Sequence, residues 1–333
     1  MRGQLPSSLT LQPLNGMANY IRWLRHRVGS RKTILAYATA LIRDVDGRLL
    51  FQRRTDFDWW GLPGGIVELG ETFRDCAIRE AAEETGLHVE PQRLIGVYAS
   101  PEWDFQYPTG DEVQQFTVAI ECRMVSGQLQ PDGHESTASQ LFSLTDLPTA
   151  CPPWYAAMIR DLKNNSVPYF DTPIMTSSDD SFLWPLREAV GSERIIVMSA
   201  AAIIQDAQGR VLLGLRSDTQ NWGLPAGLME LGETPAGTIV REASEELQLQ
   251  IRPTQLVGVF TGPAMFHTYA DGNQVQLAAT LFRADIVAGT PIPDGTETLA
   301  ADWFDLTALP PMPPRHQWLL QVALAHPKGG QFG

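Results

Sequence analysis

Two clusters of glutamates hold the residues best placed for chemistry. In 71-ETFRDCAIREAAEETGL-87, Glu80, Glu83 and Glu84 follow Arg79, and Glu71 stands eight residues before that arginine. Further on, Glu242, Glu245 and Glu246 follow Arg241, with Glu233 eight residues before it. On a helix, glutamates three and four apart share a face, where like charges cost a few tenths of a kcal/mol per pair. They also fall in the C-terminal half, where the helix dipole disfavours anions. A lone solvated acidic face, eased by the arginine, is the plain alternative to a site. Three features favour a site. The segment 64-GGIVELGE-71 brings glycines just ahead of the helix, where backbone carbonyls can approach a ligand. The layout occurs twice. Each copy also offers a downstream carboxylate, Glu135 or Glu297, shortly before an expected strand (141–144 and 303–306). Clustered carboxylates with a backbone carbonyl make a hard oxygen site suited to Mg²⁺ or Mn²⁺. Such an ion keeps some waters, takes phosphate oxygens as further ligands and activates a water.

The elements that must position these groups are themselves duplicated. Gly65 and Gly227 are 162 residues apart, and the same offset carries Gly47 to Gly209, Trp60 to Trp222, Tyr107 to Tyr269 and Glu135 to Glu297. The repeat needs no insertion from about residue 20 to 162 against 182 to 324. A unit of this size is a domain rather than a solenoid repeat. The expected division is a flexible segment 1–19, a domain 20–164, a Pro/Ser/Thr/Asp-rich linker 165–181, a domain 182–326 and a tail 327–333. Within one copy, 34–42 reads as a buried strand, 44-DVDG-47 as a turn and 48–53 as a second strand. A helix is expected from about Thr72 to Thr85, strands near 94–100 and 113–122, and a last helix over 153–163. Mixed strands between helices indicate a layered α/β/α domain.

Gly65, Glu71, Arg79-Glu80, Glu83-Glu84 and Gly86 together resemble the signature of the Nudix hydrolases, with Ala81 smaller than the usual bulky aliphatic. The segment 20-YIRWLRHRVG-29 also looks like the N-terminal extension of a bacterial Nudix subgroup. The resemblance implies an α+β chain of two tandem Nudix-type α/β/α sandwich domains with mixed β-sheets. It implies Mg²⁺-dependent hydrolysis of a nucleoside diphosphate linked to another moiety. Glu80, Glu83 and Glu84 would hold metal with a carbonyl of Gly64 or Gly65, Arg79 would orient them, and Glu71 would support the cluster or bridge to metal. The general base would be Glu80 or Glu135. The second copy carries the matching set: Gly227, Glu233, Arg241, Glu242, Glu245, Glu246 and Glu297. It departs at Gln248, where the first copy has Gly86, and at Ala226, where it has Gly64. Gln248 would cost about 1 kcal/mol if it keeps a left-handed helix exit, while neither change removes a carboxylate. The second copy is expected to be active. A sensor that binds a nucleotide derivative without turnover is the competing reading.

The formal net charge of −13 speaks against nucleic acid and anionic membrane as partners and leaves small nucleotides open, since a bound cation can reverse the local field. No apolar run approaches the roughly 20 residues of a membrane span. Cys76, Cys122 and Cys151 are widely spaced, as expected of free thiols in a reducing, cytoplasmic setting. A homodimer is allowed for. Trp59, Trp60 and Trp222, just ahead of the glycine loops, either stack on a nucleobase or anchor the core.

Overall fold

The computed structural model describes residues 20–55, 57, 59–131, 133, 136–164, 167–176 and 182–333. Glu135 and the proposed segment 1–19 lie outside this set. Each copy is built on a long strand that is buried on both faces, Thr33–Arg43 in the first and Ile195–Ile204 in the second. Their near-continuous apolar runs fit strands covered by helices on either side. Each pairs in parallel with a second long strand in the same register, Thr33 opposite Val113 and Ile195 opposite Val275. Most of the remaining pairs are antiparallel, including the hairpin of Leu87–Tyr98 with Glu112–Gly127. The sheets are therefore mixed, as expected.

The helices, in chain order, are α1 (Tyr20–Val28), α2 (Phe73–Thr85), α3 (Pro153–Asn164), α4 (Leu183–Val190), α5 (Pro235–Leu247) and α6 (Pro314–Ala325). Helix α2 buries Phe73, Cys76, Ala77 and Ala81 on one face of its sheet. On the other face α3 buries Ala157, Met158, Ile159 and Leu162 against Leu41, Phe51 and Tyr98. This is the three-layer sandwich that the pattern of elements implies. Three strands differ in their bounds from the sequence reading. The strand placed near 94–100 begins at Leu87, and those placed at 141–144 and 303–306 span Ser136–Phe142 and Thr298–Phe304. Pro91 lies inside the first, where the pairing register shifts between Pro91 and Arg93. A bulge of this kind tolerates proline.

The two copies share one core. Tyr20, Leu24, Ile34 and Ala36 belong to the same buried cluster as Leu186, Val190, Ile195 and Ile196. The backbone N–H of Ile196 donates to the Tyr20 hydroxyl across the boundary, at 2.9 Å. Two buried glutamines then lock the copies reciprocally. Gln114 accepts from Gly232 N–H at 2.7 Å and donates to the Glu233 carbonyl at 2.8 Å. Its counterpart Gln276 accepts from Gly70 N–H at 2.7 Å and donates to the Glu71 carbonyl at 3.2 Å. An exchange in which each partner uses the same patch is the signature of a two-fold axis, here relating two halves of one chain.

The connecting segment is more than a tether. Tyr169–Phe170 adds a parallel strand beside Gly96 and Val97, and Gln331–Phe332 does the same beside Gly258 and Val259. Beyond that strand, the carbonyl and N–H of Ile174 pair with Thr234 N–H and Oγ1 at the start of α5. A side chain on Gly237 would lie 1.8 Å from the Ile174 carbonyl. The first copy has Asp75 at that position, where it closes a capping box with Thr72. Glycine in the second copy makes room for the incoming chain.

Replacing Gln114 by leucine is expected to leave the Gly232 N–H and the Glu233 carbonyl without partners. At about 1–3 kcal/mol per buried polar group, the loss should come to roughly 2–4 kcal/mol, read as a lower urea midpoint. An unchanged midpoint would show that the lock contributes nothing.

Candidate active site

Helix α2 starts where a capping box can form. Thr72 accepts from Asp75 N–H, and the Asp75 carboxylate accepts from Thr72 N–H. It ends at Gly86, which takes the left-handed conformation (φ 71°) and donates its N–H to the Ala82 carbonyl. Helix α5 begins with Thr234 as cap and Pro235 in its first turn, and it exits through the same geometry with Gln248 at φ 54°, ψ 32°. The exit is thus kept rather than reshaped, and a side chain carries the strain that glycine avoids.

The glutamates are gathered by one arginine in each copy. Arg79 forms a fork with both oxygens of Glu71, at 2.6 and 2.9 Å. Its Nη1 reaches Glu80 at 2.6 Å and Glu83 at 3.1 Å, and its Nη2 reaches the Ile66 carbonyl at 3.1 Å. Arg241 repeats this with Glu233, Glu242, Glu245 and the Leu228 carbonyl, at 2.7 to 3.1 Å. Hydrogen bonding to Glu71 raises the Arg79 pKa well above its ordinary value against the opposing effect of burial. Burial opposes the charge on Arg241, and bonds from Glu233 and attraction from Glu242 outweigh it. Glu71 and Glu233 have both oxygens committed to the arginine, and Glu233 is fully buried. In this arrangement they support the cluster by holding the arginine.

The loop glycines permit the close approach that the sequence suggests. A Cβ on Gly65 would sit 2.2 Å from Glu80 Oε1, and one on Gly227 would sit 1.8 Å from Glu242 Oε1. Gly64 has φ 155°, and a Cβ there would strike the Ala38 carbonyl at 2.3 Å, whereas Ala226 in the second copy is not at positive φ. The loop has adjusted its backbone to take the alanine, and it still pairs Ala226 with Ala201 on the long strand.

Beneath the exposed Glu83 and Glu245 lie buried carboxyls. Burial, then the nearby Glu80, pushes the Glu84 carboxyl up to about 8. Its Oε2 accepts from Gly64 N–H at 2.9 Å, while Oε1 is buried with no hydrogen bond of ordinary geometry, though the Gln52 side chain lies nearby. Burial and then Glu242 likewise push Glu246 up to about 8, with Arg216 3.7 Å away, and burial raises Glu242 to about 7. Glu297, exposed just before its strand, is near enough to add to both shifts. Glu135 lies outside the described residues. Among the described residues no three acidic, histidine or cysteine groups already converge as a cage. The donor set is nonetheless all oxygen, with a buried oxygen, Glu84 Oε1, that lacks a hydrogen bond of ordinary geometry and with several glutamates sharing one arginine. Those are the needs that a hard divalent cation meets.

Sequence reasoning missed the cavity beside α2 in the first copy. It measures about 830 Å³ and runs from Gly64, Glu80 and Glu83 to Phe57, Trp59 and Trp154. Trp60 and Trp222 do not reach it. They pack edge-on against Phe142 and Phe304, as core anchors. Cys76, Cys122 and Cys151 are free thiols.

Two outcomes follow from this arrangement. Without cation, the folded chain keeps protons on Glu84 and Glu246 that the unfolded chain has released above about pH 5. Their contribution to stability is full below the ordinary carboxylate range and is lost as pH rises through about 8. Glu84→Gln should therefore be more stable than the parent at pH 8 in chelator, by on the order of 1–3 kcal/mol, and should gain less from added divalent cation. A parent as stable as the variant under those conditions would contradict the assignment. Gln248→Gly should raise the unfolding midpoint, by up to about 1 kcal/mol in stability, and a drop would show that the glutamine is not strained.

Residues 34–162 and again 196–323 match the NUDIX domain family. The chain is 34% identical over 116 residues to an ADP-ribose pyrophosphatase of Methanocaldococcus jannaschii, covering 34% of this chain and 64% of that protein. It is 48% identical over 64 residues to a MutT-like protein of Streptomyces ambofaciens, covering 19% of this chain and 41% of that one. The chain thus spans less than two thirds of either relative. A crystal structure of an ADP-ribose pyrophosphatase from Streptococcus suis is 28% identical, with a TM-score of 0.33, covering 41% of this chain and 97% of that one. With the family matching most of the chain, once in each copy and over the strands and helix that carry the glutamates, this protein belongs to the Nudix hydrolase family as two Nudix domains in tandem.

Proposed function

We propose that both domains hydrolyse a pyrophosphate bond in a nucleoside diphosphate linked to another moiety, such as ADP-ribose, a nucleotide sugar or a nucleoside triphosphate, with Mg²⁺ as the cation. The observation that carries this reading is the duplicated array in which one arginine gathers three glutamates beside a buried carboxyl. Glu80, Glu83 and Glu84 in the first domain, and Glu242, Glu245 and Glu246 in the second, would hold the cation with a carbonyl of Gly65 or Gly227. The cation supplies a bound water of lowered pKa and screens charge on the departing phosphate.

The protein's own groups set the geometry. Arg79 and Arg241 hold the outer glutamates in fixed rotamers while Glu71 and Glu233 hold the arginines. Glu84 Oε2 is tied to the glycine loop through Gly64 N–H, so the loop carbonyls and the buried carboxyl move as one body. In the second domain Glu242 or Glu297 takes the proton from the attacking water, and in the first Glu80 or Glu135 does so. The intact second array, with the adjusted Ala226 loop and the retained helix exit at Gln248, supports activity in that domain.

The test is turnover with Mg²⁺ on a panel of nucleoside triphosphates, ADP-ribose, nucleotide sugars and dinucleoside polyphosphates. Glu84→Gln and Glu246→Gln should each remove at least about 100-fold of kcat from one domain's share, and the double variant should remove both. No turnover by the parent across the panel, with binding retained, would instead make the chain a sensor.

A further inference from the structure

The two domains agree in their glutamate arrays and diverge in what faces them. Besides Tyr155, six rings flank the cavity in the first domain: Tyr37, Phe57, Trp59, Phe105, Tyr107 and Trp154. Phe57 and Trp59 stack 4.3 Å apart and 7° from parallel. Phe105 lies over Trp154 at 6.0 Å and 24°, and Trp154 meets Trp59 edge-on at 5.7 Å. The Tyr37 and Tyr107 hydroxyls lie 3.1 Å apart. Gln115 and Thr117 also line the cavity, so an amide and a hydroxyl stand beside the aromatic wall.

At the matching positions the second domain has Ser199, Thr219, Asn221, His267, Tyr269 and His316, and Leu277 and Ala279 replace Gln115 and Thr117. Only the tyrosine of the second hairpin survives as a phenyl ring. His316 is committed to the fold, since its Nδ1 accepts from Leu224 N–H at 2.9 Å. Arg315, where the first domain has Pro153, is half-buried and makes no hydrogen bond or ion pair among the described residues. The matching region of this domain therefore keeps Tyr269, with His267 edge-on against it at 4.6 Å, and has Arg315 nearby in place of the aromatic wall.

We propose that the two sites are specialised for different substrates. The first domain holds a planar heteroaromatic base in the ring-lined cavity. The second domain, which lacks that aromatic wall, does not select for a base at the matching place. This rests on the hydrolase reading for its polyphosphate end and extends it to the part of the substrate that is not cleaved. An aromatic wall stabilises a stacked base through its π-face, and nearby polar groups select the edge. The cavity runs without interruption from those rings to Gly64, Gly65, Glu80 and Glu83, so a base held there extends its phosphates toward the glutamates.

Binding of ligands that are not hydrolysed separates this inference from the hydrolase reading. The full chain, with Mg²⁺, is titrated calorimetrically with AMP and with ribose 5-phosphate, which share a phosphate and differ in the base. Trp59→Ala should weaken AMP by about 10-fold or more and leave ribose 5-phosphate within 2-fold. Trp59→Leu, which keeps apolar bulk and should match the parent in its thermal midpoint, should do the same. Asn221→Ala should leave AMP unchanged. Equal weakening of both ligands, AMP affinity untouched by either tryptophan variant, no AMP binding by the parent, or an Asn221→Ala effect as large as that of Trp59→Ala would each overturn the proposal. Ring-dependent AMP binding without turnover on the substrate panel would sink the hydrolase reading and leave the base pocket standing.

Discussion

Gathering like charges is the constraint on which this molecule turns. Three glutamates within five residues of one helix repel each other and stand at the wrong end of its dipole. Arg79 and Arg241 make the arrangement tolerable by bonding to several carboxylates at once, which the planar fork of arginine allows and a lysine ammonium does not. The arginine is itself fixed by a glutamate from the preceding loop and by a loop carbonyl. Loop, helix and charge cluster are therefore one unit, and the glycines at its centre are there because a Cβ would occupy the space of a carboxylate.

That unit does not stand alone in either domain. The carbonyl of the same supporting glutamate receives a hydrogen bond from a glutamine that belongs to the other domain. The chain of contacts runs from one long strand, through Gln114 or Gln276, to the opposite loop, and from there to the arginine and the site. In the second domain the connecting segment adds a further support at the start of α5, admitted by Gly237. The sites are alike in their inner parts because both are held by this shared frame. They differ where the frame does not reach, along the outer walls built from the hairpin, from Phe57 and Trp59, and from the last helix.

Much of this was legible in the sequence, for identifiable reasons. The constant offset between copies survives wherever residues are fixed by backbone needs or by charge, as at Gly65 and Gly227 or Arg79 and Arg241. Caps such as Thr72 and Thr234 announce helix starts through local hydrogen bonding, which needs no knowledge of the fold. The early start of the strand at Leu87 was hidden by Pro91, whose missing donor falls at a bulge. The glutamine lock was hidden because an amide in a buried strand has no periodicity of its own, and its partners are more than 100 residues away. The ring-lined cavity draws on four distant segments. Of the adjacent Trp59 and Trp60, only the first lines it, because Trp60 belongs to a short strand paired with Leu49–Arg54 that directs it onto Phe142.

The reciprocal glutamine exchange has an evolutionary corollary. Two identical subunits joined by such a contact must accept every change twice, once on each side of the axis. Joining both halves in one polypeptide removes that obligation, because a codon altered in one half leaves the other as it was. An aromatic residue can then be gained on one side while a histidine is kept on the other, under a packing arrangement that stays symmetric. The covalent joint thus separates inheritance of the frame from inheritance of selectivity, and lets a single gene explore two substrate repertoires at once.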